Sequence, residues 1–428
     1  MERCALGLIG WGTVGSGVVD ILNRDAQLFR DRCGLDLYLK TIVTRNPGRT
    51  REQTAGTALV TDQIQVLLND PEIRTVIHLV GGTTAAKDLC MACLRAGKHV
   101  VTANKALLAE HGDELFALAA SRGMTIAFEA AVAGGIPIIA ALRDGLVANR
   151  IEAIYAILNG TCNYILTQMT EGGKGYDQAL KEAQELGYAE ADPTLDVNGT
   201  DTAHKLAILA RIAFHGRIPV VSIRCEGIDR LTAQDIESAR TMRARIKLLA
   251  VAKPRPDGLE LRVAPTLIPE DHPLASVNRN YNGIYVHGSA AGPTLLVGQG
   301  AGALPTASAV LADVVDVCTG RYLATASRFN FFTSANEVRL LPEAEEVTSS
   351  YARFVVADKP GVLAGITNEL SKQGVSVLNI HQGTPDPRGR ALIEISTHPL
   401  RSADFFAAIN TIDGSGLTLQ PTVTFRKL

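Results

Sequence analysis

Cys4-Ala5-Leu6-Gly7-Leu8-Ile9-Gly10-Trp11-Gly12-Thr13-Val14-Gly15 is the stretch that decides the fold of the first domain. Residues 4–9 form the short apolar run of a buried strand, and the glycines that follow have the spacing G-x-G-x-x-G at a strand-to-helix turn. Gly10 permits the tight turn, Gly12 lets the backbone approach a pyrophosphate, and Gly15 lets helix and strand pack closely. The N-terminus of the following helix then offers unpaired N–H groups and a partial positive charge to phosphate. A plain strand–turn–helix can share the spacing. Here the motif follows a strand and opens a helix near the start of the chain, which is the context a dinucleotide fingerprint requires. Gly10, Trp11, Gly12, Thr13, Val14 and Gly15 are therefore expected to bind a dinucleotide.

Outward from this loop the pattern repeats. The first helix is expected to run to about Phe29, and further strands are expected at 37–43, 75–80, 99–102 and 125–128. Strands alternating with helices imply a parallel sheet with right-handed crossovers, a Rossmann-type α/β domain. The second strand ends Val43-Thr44-Arg45-Asn46, followed by Arg49 and Arg51, without the acid that usually holds an NAD ribose. A guanidinium there suits a 2′-phosphate, so NADP is favoured over NAD, with Arg45 as the contact. Solvated loop arginines are the competing reading.

The 428 residues exceed one ordinary core, so two or three domains are expected. Hydrophobic residues make up 46% and charged residues 20%, which is a globular profile, and the net charge of -2 argues against a nucleic-acid partner. The longest apolar stretch, 130–142, is interrupted by Gly134, Gly135 and Pro137 and is shorter than the ~20 residues of a membrane span. The N-terminus leads directly into the first strand, with no room for a signal peptide. The seven cysteines lack zinc spacing. Cys90 and Cys93 read as buried thiols on an amphipathic helix, and a reducing cytoplasm is expected.

After residue 134 the character becomes α+β, with helical patterns at 176–186 and 200–214 and strand-like segments at 259–265 and 283–288. A helix at 306–319 is expected to return to the first domain. A polar, glutamate-bearing linker at 341–350 precedes a βαββαβ pattern, the order of a ferredoxin-like unit. The expected organisation is a dinucleotide domain at 1–133, a catalytic and dimerisation domain at 134–340 with 306–322 rejoining the first, and a small module at 351–428.

Two clusters carry chemistry. Lys105 follows the strand at 99–102, on the sheet edge where ligands bind in open α/β folds. Glu190, Asp192, Asp196 and Asp201 fall within 12 residues, and Lys205 lies four after Asp201 on one helix face. A surface ion pair is the ordinary reading of that spacing. The apolar residues Leu206-Ala207-Ile208-Leu209 beside it instead suggest a site for a charged small molecule, with a protonated lysine as general acid.

The chain resembles homoserine dehydrogenases of the monofunctional kind. The matching segments are 7–17, HVVTANKALL (99–108), FEAAVAGGIP (128–137), LNGTCNYIL (158–166), 185–211 and GQGAGALPT (298–306). The resemblance implies reduction of L-aspartate 4-semialdehyde to L-homoserine with NADPH or NADH, on the route to threonine, methionine and isoleucine. It makes Lys205 the proton donor to the aldehyde oxygen and Lys105 the lysine beside nicotinamide and substrate. Gly187, Glu190, Asp196, Asp201, Asn159 and Thr161 fall at substrate positions, with Asn163 nearby and Cys162 as a small filler. Thr83, Thr102, Ala103, Lys105 and Gly302 join the glycine loop and Arg45 at the cofactor. Glu129, Val132, Gly134 and Ile136 match a Na⁺ site of backbone carbonyls and one carboxylate; a Gly-rich hinge turn is the plainer reading. Residues 354–425 resemble an ACT domain, with Asp358-Lys359-Pro360-Gly361 at the first strand–helix turn and Gln382 after the second strand. It implies threonine as a possible effector and a homodimer or homotetramer. Two other classes compete: another Rossmann oxidoreductase of amino-acid carbonyls, and a non-catalytic sensor of dinucleotide and amino acid.

Overall fold

A computed structural model describes residues 2–49, 54–326, 332 and 336–428. The chain forms two units: Met1–Gly160 with Thr200–Ile223 and Asn280–Val338, and Thr161–Gly199 with Arg224–Arg279 and Arg339–Leu428.

The first unit is built on a parallel sheet. Its strands are β1 (Glu2–Ile9), β2 (Leu35–Val43), β3 (Leu59–Thr61), β4 (Ile73–His78), β5 (His99–Thr102) and β6 (Ile126–Ala127), in the order β3-β2-β1-β4-β5-β6. Every pairing is parallel. The order reverses between β1 and β4, which opens a crevice at the carboxyl ends of those strands. The helices α1 (Thr13–Arg24), α2 (Ala26–Cys33), α3 (Ile64–Leu68), α4 (Thr84–Arg95) and α5 (Lys105–Ser121) connect them. The helix expected to reach Phe29 is two helices, because Asp25 leaves helical geometry at φ -111°. β3 escapes a sequence reading because three residues are too few to show a period. Cys90 and Cys93 are fully buried on α4, as expected.

Leu6, Leu8, Val18, Val19 and Leu22 share their core with Ala307, Val310, Leu311 and Val314 of the Ala303–Cys318 helix. That helix packs along α1, and a Cβ at Gly17 would lie 2.5 Å from the Ala303 carbonyl oxygen. An antiparallel trio, Ile151–Ile157, Tyr281–Gly288 and Gly292–Gln299, completes the unit.

The second unit pairs Ala244–Arg255 with Gly258–Pro269 as a long antiparallel hairpin. The C-terminal module has the ferredoxin-like order: Val347–Ala357, helix Val362–Lys372, Val377–Gln382, Arg390–Thr397, helix Ser402–Gly414 and Val423–Lys427. Phe354, Ile366, Leu370, Ile393, Phe405 and Ile412 form its buried core. The polar stretch at 341–350 is not uniform coil, since the strand begins at Val347. Val423–Lys427 pairs parallel to the hairpin at Thr266 and Leu267, so module and hairpin share one sheet. Among the described residues no helix is long and apolar enough to cross a membrane.

Candidate active site

The glycine loop shows why each glycine is needed. Gly10 sits at φ +98°, and a Cβ there would lie 2.6 Å from the Leu79 carbonyl oxygen of the adjacent β4 edge. A Cβ on Gly15 would lie 2.4 Å from the Gly10 oxygen. Gly12 differs: a Cβ there would meet nothing within 4 Å, and as the N-cap of α1 it has no side chain of its own to offer the first-turn N–H groups. The N-terminus of α1 therefore begins beside open space at Gly12, a setting that suits phosphate oxygens. Trp11 is buried beside the loop and Val14 packs on the core. Gly302, at φ +122°, caps the helix that packs on α1.

Other expected cofactor residues have defined local roles. Thr102 is buried, and its hydroxyl accepts the Asn104 N–H at 3.2 Å. Asn104 then caps α5 by accepting the Leu107 N–H at 3.0 Å, while its amide donates to the Val80 and Gly82 carbonyls at 2.8 and 2.6 Å. This Asn ties the start of α5 to the end of β4, and Lys105 is the first residue after the cap. Ala103 is half-buried between the two, and Thr83 precedes α4 as its N-cap. Arg45 and Arg49 are exposed beyond the end of β2, and Arg51 lies outside the described residues.

Lys105 reaches Asp201. Its Nζ is 3.1 Å from Asp201 Oδ1, although 96 residues separate them in the chain. Lys205 Nζ donates to Asp201 Oδ2 at 2.7 Å and to the Leu158 carbonyl at 2.7 Å. Asn159 Nδ2 donates to Asp201 Oδ2 at 3.1 Å. Asp201 and Lys205 lie on the Thr200–Phe214 helix and their side chains are each 10% exposed, so the i,i+4 spacing is not a surface pair. Burial alone would raise the Asp201 carboxyl, but the charges and hydrogen bonds of Lys205 and Lys105 outweigh it and hold the group well below the usual carboxylate range. The result is an ionised carboxylate flanked by two ammonium groups.

Two contacts between the same helices were not legible in the sequence. Arg211, buried, clamps Asp113 of α5 at 2.6 and 3.1 Å, and His204 lies 3.7 Å from Glu110. They hold α5 and the Thr200–Phe214 helix together, one beside Lys205 and the other two turns further along. The only sequence signal would have been the matching polar positions on two apolar helices.

Gly187, Glu190, Asp196 and Thr161 belong to the second unit. Gly187 takes φ +73° at the end of the Tyr176–Glu185 helix, and Glu190 is exposed on the segment that follows. The Gly160–Gly172 helix carries Thr161 and Cys162 in its first turn. Thr161 Oγ1 donates to the Tyr188 carbonyl at 2.6 Å and Cys162 Sγ to the Asp196 carbonyl at 3.2 Å. Asn163, expected near substrate, is instead 1% exposed and donates to the Val277 carbonyl at 3.0 Å. A helix turn of 100° per residue points it away from the Thr161 direction.

The stretch expected to hold Na⁺ is buried. Ala133 and Gly134 both have positive φ, 54° and 40°, which turns the chain sharply. The Glu129 carboxylate accepts the Ile139 and Ala140 N–H groups, each at 2.8 Å, and burial raises it to about 7. Its two oxygens thus cap a helix start, each with one accepted N–H. Among the described residues no three His, Cys, Asp or Glu side chains converge as metal ligands.

A dinucleotide fold that turns two lysines toward one carboxylate is suited to polarising a carbonyl oxygen, the task of a nicotinamide-dependent oxidoreductase. Family models agree: "Homoserine dehydrogenase, NAD binding domain" matches residues 10–129, "Homoserine dehydrogenase" matches 137–315 and "ACT domain" matches 350–413. The homoserine dehydrogenase of Pseudomonas aeruginosa is 42% identical over 422 residues, covering 97% of each chain. That of Bacillus subtilis is 36% identical over 427 residues, covering 100% of this chain and 98% of its own. The crystal structure of a homoserine dehydrogenase from Thiobacillus denitrificans superposes with a TM-score of 0.93 at 41% identity, covering 100% and 99% of the two chains. A hyperthermophilic archaeal homoserine dehydrogenase in complex with NADPH matches 74% of this chain and 98% of its own, with a TM-score of 0.63 and 26% identity. The chain belongs to the homoserine dehydrogenase family. It is an NAD(P)-dependent oxidoreductase acting on a CH–OH group, interconverting L-aspartate 4-semialdehyde and L-homoserine on the route to threonine, methionine and isoleucine.

Proposed function

We propose that Lys205 is the proton donor to the aldehyde oxygen and that Lys105 supplies the second positive charge there. The observation that supports this is the shared carboxylate: Asp201 lies 2.7 Å from one ammonium and 3.1 Å from the other. Two hydrogens of Lys205 Nζ are engaged by Asp201 and Leu158, and an ammonium has three. The third can be given to the substrate oxygen. Nicotinamide, when bound, supplies the hydride. The charge that develops on the oxygen is then met by Lys205 as acid and by Lys105 electrostatically, with Asp201 keeping both ammonium groups oriented. In the reverse direction Lys205 takes the homoserine hydroxyl proton. Asn159 holds Asp201 in place. Gly187, Glu190, Asp196 and Thr161 are assigned to the amino-acid end of the substrate, where a carboxylate such as Glu190 suits the ammonium.

NADP is the proposed preference, through Arg45 and the 2′-phosphate, with Thr83, Thr102, Ala103 and Gly302 completing the cofactor contacts around the glycine loop. A monovalent cation such as Na⁺ is assigned to Glu129, Val132, Gly134 and Ile136, through backbone carbonyls and one carboxylate. The C-terminal module is assigned to threonine sensing, and residues 134–340 to assembly of a homodimer or homotetramer in the cytoplasm. Homoserine-dependent reduction of NADP⁺, followed at varied homoserine in the wild type and in Lys205→Met, tests the central assignment. Undiminished turnover in the variant overturns it.

A further inference from the structure

Lys247 is a buried lysine that the reaction does not use. It lies on the Ala244–Arg255 strand and is 2% exposed. Its Nζ donates to Asn163 Oδ1 at 2.9 Å, the Val277 carbonyl at 2.7 Å and Asn278 Oδ1 at 3.0 Å. Three acceptors match the three hydrogens of an ammonium, and all three are neutral groups. Burial brings the group down to about 7, with the charge of Arg245 acting the same way and Glu171 opposing. Asn278 bridges toward Glu171, to which its amide donates at 2.8 Å, and Arg245 stands 3.3 Å from the same oxygen. An apolar residue would fill this position without the cost of desolvating a charge. The ammonium does something an apolar side chain cannot. It only donates, so it sets which end of the Asn163 amide faces it, leaving Nδ2 to donate to Val277 at 3.0 Å.

Asn163 stands in the same helical turn as Thr161 and Cys162, which hold the chain at Tyr188 and Asp196. We propose that Lys247 is a positioning residue for substrate: by fixing Asn163 it sets the first turn of the Gly160–Gly172 helix, and through Thr161 and Cys162 the backbone of residues 187–196. This rests on the assignment of Thr161, Gly187, Glu190 and Asp196 to the amino-acid end of the substrate. Lys247 and Asn163 act through the others and do not themselves touch the ligand.

The test compares the full-length wild type with Lys247→Met, Asn163→Ala and Glu190→Gln, with KM for homoserine and for NADP⁺ measured separately at pH 6.5. Lys247→Met is expected to raise KM for homoserine by roughly five- to tenfold, the effect of removing one or two hydrogen bonds, while KM for NADP⁺ stays unchanged. Asn163→Ala leaves Lys247 in place and should show the same split; it carries the test if Lys247→Met does not fold. Combining Lys247→Met with Thr161→Val should add less than the sum of the two single effects, because both act through one helix turn. If Glu190→Gln raises KM for homoserine and neither Lys247→Met nor Asn163→Ala does, the positioning role is overturned and the substrate assignment stands. If Glu190→Gln leaves it unmoved, the assignment fails and the proposal with it. A parallel rise of both KM values in Lys247→Met and Asn163→Ala reads as general loosening and also overturns the proposal.

Discussion

Lys205 and Asp201 form a buried pair, Nζ to Oδ2 at 2.7 Å, on one face of one helix, and Lys105 approaches the other carboxylate oxygen from a different helix. Asp201 is therefore the hub on which both ammonium groups are oriented. Asp201→Asn keeps the shape and removes the charge, leaving two buried or half-buried cations without their counter-ion. A fall in kcat of roughly 100-fold is expected, with a loss of stability of about 3 kcal/mol, the usual cost of orphaning a buried charge. Steady-state kinetics and denaturant unfolding measure the two effects.

The two lysines should separate kinetically. Lys205→Met is expected to lower kcat/KM by roughly 10²–10⁴-fold, the range for removal of a general acid. Lys105 is 38% exposed and contributes charge alone in the proposed mechanism, so Lys105→Met should cost less. Equal losses in the two variants would reverse or merge the roles.

Gly10 and Gly12 make a matched pair of tests. Gly10→Ala forces a side chain into positive φ and against the Leu79 carbonyl, so it should destabilise the fold by roughly 1–3 kcal/mol. Gly12→Ala has open space for its methyl group and should melt like the wild type, yet KM for NADP⁺ should rise several-fold, because the proposed phosphate contact uses that space. A destabilised Gly12→Ala with unchanged NADP⁺ kinetics would contradict the phosphate assignment.

Arg45 is exposed beyond β2, and the proposed NADP preference rests on it. Arg45→Ala should raise KM for NADP⁺ by roughly tenfold, the worth of one charge-assisted hydrogen bond, and leave KM for NAD⁺ alone. Equal effects on the two cofactors would assign Arg45 to solvent.

Lys247 also predicts a pH dependence of stability. Its folded value is brought down to about 7 from an ordinary lysine value of 10.5, so the unfolded chain binds more protons between those two. Unfolding free energy should then rise with pH across the window from 7 to 10.5, relative to Lys247→Met, by roughly 2–5 kcal/mol in total. Denaturant midpoints of the two proteins across that range give the difference directly. Parallel curves would mean that the ammonium is not desolvated as its burial implies.

What the sequence determined by itself is whatever depends on near neighbours. The glycine spacing at 10, 12 and 15 is a local backbone requirement, so strand, turn and helix could be read from twelve residues. The same holds for the 3.6-residue period that placed Asp201 and Lys205 on one face, and for the strand–helix alternation behind the parallel sheet. Tertiary structure alone decided what depends on distant partners and on exclusion of water. It brought Lys105 to Asp201 across 96 residues, supplied Asn159 and the Leu158 carbonyl, and buried a pair whose spacing reads equally well as a solvated surface contact. It also brought Asn163 to Lys247, whose acceptors at Val277 and Asn163 lie 30 and 84 residues away in no readable pattern. Spacing is written in the chain, but burial and long-range convergence are properties of the folded packing, and they decide whether a charged pair is a site.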